Sequence, residues 1–374
     1  MITIRFRASS IWLVFGSVGI TCGVIACDPG PRSSESVARF PLIDIGVEAE
    51  IGVQDSGDPL AVLHRPMDAT FVDGEIAVLD ASPPWIRVFA RDGRFLRAMM
   101  RKGQGPGEAE LPYTLRSTRD GGFVVGSARG IERVDRDGNH LLAIRGGDYW
   151  IYAAVEACEG NIHALARRTG EIGALSLFMR LGQDSTLADT LAVFGAMRLP
   201  AQLRRRHSSY VRPVPGGVLL YPEELDRHRI LEVDCNGGVL RDLEVESLGN
   251  PERVGLPPTP EQNPGRVAVR AAEPPYPGGL TRIGTTVLWA ALTVDSLTNG
   301  TVDSTTVLTA FDREDRALQI SIDGWYQIFD SDAEGSLLLG NADATYPSVI
   351  VVDGHTVLRL IDEQGKPPAD RQPD

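Results

Sequence analysis

Residues 67–100 read MDATFVDGEIAVLDASPPWIRVFARDGRFLRAMM, a stretch in which short apolar runs alternate with turn signals. Asp73-Gly74 and Asp92-Gly93 each separate two such runs. Asp-Gly between β-like runs is a strong hairpin signal, because both turn positions tolerate positive φ. Pro83-Pro84 interrupts the chain between the two hairpins. The stretch therefore predicts four consecutive strands, at residues 69–72, 76–79, 86–89 and 95–99.

The same pattern returns in the next segment of the chain. Asp120-Gly121 and Asp137-Gly138 again separate β-like runs, and Gly93 and Gly138 are 45 residues apart. This spacing is typical of propeller blades, which repeat about every 40–50 residues. More degenerate copies are expected at residues 153–194, 210–245, 280–322 and 327–361. Such units bury their faces by stacking around an axis, and ring closure removes exposed strand edges.

The predicted fold class is therefore all-β: a six-bladed β-propeller with four-stranded antiparallel blades, with five and seven blades as alternatives. Residues 42–53 offer an outer strand that would close the ring on the last unit. Residues 327–361 are nevertheless expected to hold four strands of their own.

Three motifs in the first two units resemble a known kind of propeller. Residues 76–80, 86–96 and the loop Gly103-Gln-Gly-Pro-Gly-Glu108 are similar to six-bladed propellers of the NHL-repeat and TolB-like kind. The later units share the spacing and depart from the repeat consensus. The resemblance implies the ring architecture and leaves the ligand open, because propellers host unrelated functions.

The first residues have the organisation of an export signal. Arg5 and Arg7 precede an apolar stretch, Ile11–Ala26, that contains no acidic residue. The stretch is shorter than the roughly 20 residues that a membrane-spanning helix needs. Val24-Ile-Ala-Cys27 resembles the lipobox of bacterial lipoproteins, which implies cleavage before Cys27 and acylation of that cysteine, with palmitate among the chains. The alternative is an ordinary signal peptide with a cysteine at its cleavage site.

The predicted organisation follows from these patterns. Residues 250–278 contain eight prolines and are interpreted as an insertion in the propeller domain. The protein is expected to be exported and lipid-anchored to a bacterial membrane, facing the periplasm or the cell exterior. The expected segments are a signal peptide at 1–26, a lipidated N-terminus and flexible tether at 27–48, the propeller at 49–362, and a disordered tail at 363–374.

Two cysteines, Cys158 and Cys235, remain once Cys22 leaves with the signal peptide and Cys27 is acylated. Each follows a β-like run in a turn that contains glycine, and an exported compartment permits a disulfide. In a propeller both turns would lie on the same face of adjacent blades. A Cys158–Cys235 disulfide is therefore predicted, with two free thiols as the alternative.

Composition excludes several classes of function. The chain of 374 residues carries a formal net charge of -13, which disfavours binding to nucleic acid or to anionic lipid headgroups. Its six histidines form no His-Glu-x-x-His pattern, and no Cys-x-x-Cys or Gly-x-Ser-x-Gly motif is present. The sequence therefore predicts no catalytic residue, no metal and no cofactor, and membrane contact through the lipid anchor alone.

Candidate binding residues lie on one predicted face of the ring. In a propeller, the loops between second and third strands and the blade-to-blade connections share a face, which we name the loop face. The Asp-Gly turns lie on the opposite, hairpin-turn face. Aromatic residues mixed with charges at loop tips suit ligand or protein recognition, although the aromatics would equally well plug the channel. The candidates are Asp80, Trp85, Lys102, Gln104, Glu108, Arg129, Trp150, Arg168, Glu224, His228, Asn341, Asp343 and Tyr346.

Two functions remain open at this point. The first is a monomeric, non-enzymatic binding or scaffold propeller that presents its loop face to a protein, peptide or glycan. The alternative is a metal-dependent hydrolase or lyase acting on small envelope metabolites. Its ligands would come from different blades at the channel mouth: Asp80, Glu224, Asn341 and Asp343.

Overall fold

The computed structural model describes residues 39–40, 45–52, 58–127, 130–168, 175–181, 188–196, 211–222, 229–245, 276–298, 301–341 and 347–364. Cys27 lies outside these ranges, as do the candidates Arg129, Glu224, His228, Asp343 and Tyr346. The insertion at 250–278 is described from Tyr276 onward.

Two short strands precede the first blade, β1 (Arg39–Phe40) and β2 (Val47–Ile51). Blade 1 contains β3 (Pro66–Val72), β4 (Glu75–Asp80), β5 (Ile86–Ala90) and β6 (Phe95–Met99). The parallel pair β7 (Arg101–Lys102) and β8 (Glu108–Ala109) follows in the connection to the next blade. Blade 2 contains β9 (Pro112–Ser117), β10 (Phe123–Ser127), β11 (Gly130–Val134) and β12 (His140–Arg145).

The next three blades cover the middle of the chain. Blade 3 contains β13 (Tyr149–Ala157), β14 (Asn161–Arg168), β15 (Leu175–Leu181) and β16 (Ala188–Ala196). Blade 4 contains β17 (Val211–Val214), β18 (Gly217–Leu220), β19 (Arg229–Asp234) and β20 (Val239–Glu244). Blade 5 contains β21 (Tyr276–Ile283), β22 (Thr286–Thr298), β23 (Thr301–Phe311) and β24 (Ala317–Asp323).

Blade 6 joins the two ends of the propeller. It contains β25 (Tyr326–Ser331), β26 (Ser336–Asn341) and β27 (Ser348–Asp353), and β2 pairs antiparallel with β27 as its outermost strand. The strand predicted within residues 42–53 is thereby confirmed. β1 pairs in parallel with β24 at the outer edge of blade 5. Strands therefore begin inside the segment that the sequence assigned to the tether.

The prediction of four strands within residues 327–361 is wrong, because this segment forms three strands and then the helix α1 (Gly354–Gln364). Asp353 caps the helix: its carboxylate accepts hydrogen bonds from the His355 N–H (3.0 Å) and the Thr356 hydroxyl (2.6 Å). Val357 and Ile361, one helical turn apart, are buried in the core between blades 5 and 6. The helix also runs two residues into the predicted tail.

Closure of the ring is visible in the innermost strands. These strands contact one another in the cyclic order β3, β9, β13, β17, β21, β25 and back to β3. The Asp73-Gly74 turn of blade 1 has positive φ at both residues, 46° and 75°, as the hairpin signal requires. The six-bladed propeller with four-stranded antiparallel blades is confirmed.

Apolar clusters between neighbouring blades hold the ring together. One such cluster spans blades 3 to 5 and includes Trp289, Phe178 and Leu231, all at most 2% exposed. Each fully buried large apolar side chain contributes about 1.5–3 kcal/mol to folding. Within the residues that the structure describes, no helix is both long and apolar enough to cross a membrane.

The predicted disulfide is present. Cys158, in the β13–β14 turn, is bonded to Cys235, in the β19–β20 turn, with a Cα–Cα distance of 5.6 Å. Both turns lie on the hairpin-turn face, so the bond links blades 3 and 4 there. The two cysteines are 77 positions apart, for which the chain-entropy model gives about 4 kcal/mol of stabilisation.

Candidate functional site

Asp80, a loop-face candidate, accepts hydrogen bonds from backbone and side-chain groups in and next to its own blade. Its carboxylate is fully buried and accepts N–H bonds from His64 (3.0 Å), Arg65 (2.6 Å) and Ala81 (2.8 Å). The guanidinium of Arg87 donates to it as well, at 2.6 Å. Because these donors occupy both oxygens, the structure gives Asp80 a structural role in the β4–β5 loop.

Trp85 is a core residue. Its side chain is 4% exposed and packs in the apolar cluster between blades 1 and 2. The indole Nε1 donates a hydrogen bond to the carbonyl of Ala109 at 2.9 Å. An aromatic ring with both its apolar surface and its donor satisfied inside the protein has little left to offer a ligand.

The loop from Gly103 to Glu108 is shaped by its own glutamate. The Glu108 carboxylate accepts the N–H of Gly105 at 3.0 Å, and Gly107 has a φ of +75°. Lys102 and Gln104 are exposed, and Gln104 lies 3.4 Å from the carboxylate of Glu110. Ligand binding by Lys102, Gln104 and Glu108 stays a prediction.

The remaining described candidates lie in blades 3 and 6. Trp150 is half-buried, and the guanidinium of Arg167 stacks over the rings of Trp150 and Tyr152, at 5.8 and 5.6 Å from their centroids. Arg168 is exposed, whereas Asn341, the last residue of β26, is half-buried. Their binding roles also stay predictions.

A cavity of about 330 Å³ opens on the hairpin-turn face, the face opposite to the predicted one. Its walls come from the ends of the innermost strands of blades 1, 2, 4, 5 and 6, from the turns that follow them, and from Arg91 in the β5–β6 turn. The residues that decide its chemistry are Thr70, Arg116, Arg212, Thr281, Asp330 and Ser331.

Strand pairing shows that several of these side chains occupy one equivalent position. The equivalent position is defined from the hairpin turn that follows each innermost strand. It lies two residues before the last residue that pairs with the second strand of the same blade. These six equivalent positions of the innermost strands carry charged groups in three blades. In blade order they are Thr70, Arg116, Val155, Arg212, Thr281 and Asp330.

Arg116 connects blades 1, 2 and 4 across the channel. Its side chain is 2% exposed; Nη1 is bonded to the carboxylate of Asp68, and Nε donates to the carbonyl of Val211 at 3.3 Å. Asp68 also accepts the N–H groups of Ala69 (3.0 Å) and Leu115 (2.9 Å). Burial raises the pKa of Asp68 to about 7, against the lowering effect of Arg116.

Asp330 is a second carboxyl close to the same arginine. It accepts hydrogen bonds from the Thr70 hydroxyl (2.7 Å) and the Phe71 N–H (3.1 Å). Its burial raises its pKa, while the charge of Arg116 acts in the opposite direction. Two carboxyls near one guanidinium favour a proton on one of them at neutral pH.

Among the residues that the structure describes, Arg212 is the cavity-lining arginine without a carboxylate partner. The side chain is 2% exposed, and Nε donates to the carbonyl of Leu280 at 3.1 Å. Both terminal guanidinium nitrogens are buried, and no acceptor for them lies among the described residues. A buried charge without a partner costs several kcal/mol, so the wall of this cavity strongly favours an anion beside Arg212.

The sequence reasoning missed these residues because they lie in strands rather than loops. A signal was present: Arg116 and Asp330 interrupt apolar strands five positions before the turn glycines Gly121 and Gly335. A charge at that position of an innermost strand has to face the channel or find a buried partner. Within the described ranges, no group of three or more His, Cys, Asp or Glu side chains is placed to hold a metal ion.

No protein-family model and no curated protein sequence matches this chain. Solved structures do match it. A Bacteroides fragilis protein, named as a predicted exported protein, has a TM-score of 0.54 and 10% identity, covering 84% of this chain and 98% of its own. A gluconolactonase from Xanthomonas campestris has a TM-score of 0.47 and 12% identity, covering 82% of this chain and 96% of its own. At this level of identity, the similarity to the Bacteroides fragilis protein shows that the two chains share the propeller fold.

Proposed function

We propose that this protein is an exported, lipid-anchored binding propeller that takes a small polar ligand into its channel from the hairpin-turn face. The observation that carries the proposal is the buried guanidinium of Arg212, which lies in the cavity wall with two unpaired nitrogens. Buried polar groups in folded proteins are hydrogen-bonded as a rule, so we expect a bound ligand to supply the acceptor for these nitrogens.

The dimensions of the cavity support a small molecule rather than a macromolecule. A volume of about 330 Å³ lies at the lower end of the range for small-molecule pockets, about 300–1,000 Å³. The walls belong to strands of a closed ring, so little conformational entropy is lost on binding. Binding of a protein, peptide or glycan by the exposed loop-face residues remains the hypothesis drawn from the sequence.

Export is supported by two independent features of the chain. The leader has the organisation of a secretory signal, and the Cys158–Cys235 disulfide is of the kind that persists in oxidising compartments. The lipid anchor rests on the lipobox-like residues that end at Cys27. The metal-dependent hydrolase alternative gains no support from the described residues, since Asp80 is occupied by its own loop.

The test is a thermal-shift screen of the purified protein against a library of small anionic, cationic and neutral solutes. We expect the solutes that raise the Tm to be anions, and Arg212→Gln to lose this shift. Arg359→Gln is the matched control, because Arg359 is exposed on α1 and pairs with Glu363. Ligands that bind the two variants equally well would place the site elsewhere and refute the proposal.

A further inference from the structure

Four arginines and four carboxyl groups line the cavity: Arg91, Arg116, Arg212 and Arg282, and Asp73, Asp330, Asp332 and Glu334. Arg91 pairs with Asp332, Arg282 pairs with Glu232 at 2.9 Å, and Arg116 pairs with Asp68. Within the described residues, Arg212 has no such carboxylate. Arg212 is therefore the lining arginine whose terminal nitrogens can receive an anionic group of a ligand.

The geometry of Arg212 favours a planar anion. Its Nε is held by the carbonyl of Leu280, which leaves the two terminal nitrogens to bind the ligand. A guanidinium fork matches the two oxygens of a carboxylate in a bidentate arrangement. A phosphate dianion would bring a second negative charge into the wall that also contains Asp330, without a second unpaired cation to receive it.

The wall formed by blades 5, 6 and 1 is rich in hydroxyl groups. The hydroxyls of Thr281 and Ser331 are 2.7 Å apart, and Ser331 donates to the carbonyl of Arg282 at 2.9 Å. The Thr70 hydroxyl lies 3.2 Å from that of Ser117 and donates to Asp330. Hydroxyl and carboxyl groups of this kind both donate and accept hydrogen bonds, as the hydroxyls of a ligand require.

We propose that the cavity binds a hydroxylated monocarboxylate, with the carboxylate on Arg212 and its hydroxyls facing Thr281, Ser331 and Asp330. This assignment rests on the proposed function, because it names the ligand class of the same site. The raised pKa of Asp330 supports it, since a protonated carboxyl does not repel the ligand.

The experiment compares four-carbon probes that differ in their charged groups and in their hydroxyl groups. Isothermal titration of the full-length protein uses erythronate, butanoate (no hydroxyls), erythritol (no carboxylate), erythritol 4-phosphate and 2-aminobutanoate. We expect erythronate to bind best, butanoate at least tenfold more weakly, and erythritol not measurably. Arg212→Gln should weaken erythronate at least tenfold, whereas Thr281→Val should weaken erythronate and leave butanoate unchanged.

Control variants show whether a change in binding comes from Arg212. Arg359→Gln should bind every probe like the wild type. If Arg212→Gln does not fold, Arg212→Lys takes its place in the comparison with the wild type, because lysine keeps the charge and loses the guanidinium fork. Tighter binding of erythritol 4-phosphate or 2-aminobutanoate than of erythronate would overturn the inference, as would equal binding of butanoate. If no probe binds while other anions give Arg212-dependent shifts, this inference fails and the proposed function stands. If no solute gives an Arg212-dependent shift, the proposed function fails as well.

Discussion

Replacement of Arg212 by methionine should make the ligand-free protein more stable, although it deletes a buried hydrogen bond. The loss is the bond from Nε to the Leu280 carbonyl, worth about 1.5–3 kcal/mol for a charged donor. The gain is the removal of a guanidinium whose terminal nitrogens have no acceptor, a desolvation penalty of several kcal/mol. Methionine is unbranched, carries no charge and reaches about as far as the Nε of Arg212. We expect the free energy of unfolding to rise by about 1–3 kcal/mol.

Arg116→Met is the matched comparison, because Arg116 occupies the equivalent position and is equally buried. Its loss leaves the carboxylate of Asp68 without its charged partner, which should cost about 3–5 kcal/mol. The assay is urea unfolding of the full-length protein at pH 8, followed by tryptophan fluorescence. In thermal melts each kcal/mol should move the Tm by about 2–4 °C. If both substitutions destabilise the protein to a similar extent, Arg212 is not an unmatched charge and the reasoning about the cavity is refuted.

Three further predictions concern the bonds and protons of the fold. Reductant should lower the Tm of the wild type and leave the Tm of a Cys158→Ser, Cys235→Ser double variant unchanged. The oxidised wild type should exceed the reduced wild type by about 4 kcal/mol in unfolding free energy. An equal response of the wild type and the variant to reductant would contradict the disulfide. Cys27→Ser should abolish incorporation of labelled palmitate in cells and release the protein from the membrane fraction, and a variant that keeps the label would disprove the anchor. The pKa of Asp68 is raised from 3.8 to about 7 in the folded protein, so Asp68 takes up a proton on folding at pH values between these two. The wild type should therefore lose stability relative to Asp68→Asn as the pH rises from about 4 to 7. A difference that stays constant over this range in urea unfolding experiments would show that Asp68 keeps an ordinary pKa.

The hairpins were predictable because turn chemistry acts over a few residues. Asp73-Gly74 fixes where β3 ends and β4 begins, and the observed strands enclose the predicted runs. The helix at the C-terminus was not predicted, although Val357 and Ile361 have helical spacing. Blade 6 lacks room for another strand because β2, from the other end of the chain, occupies the outer edge of β27.

The site was not predictable from local pattern alone. Thr70 and Asp330 are 260 positions apart in sequence and hydrogen-bond in the channel, and Arg116 reaches a carbonyl 95 positions away. Such contacts depend on which residue of each blade meets the axis, and that register is set by strand pairing around the whole ring. Trp85 illustrates the same limit, because a tryptophan beside a loop has the same local sequence whether it faces solvent or the next blade.

The pairing of β2 with β27 sets the order in which this protein acquires its structure as it is made. Within blade 6, β2 is synthesised first and its partner β27 last: the Ser348 hydroxyl donates to the Glu50 carboxylate, 298 positions earlier. Until then, β2 presents an unpaired edge while the intervening blades assemble from local hairpins. Pairing of β2 with β27 is therefore expected to be the final and slowest step of folding. Before this step the nascent chain is most vulnerable to aggregation and proteolysis.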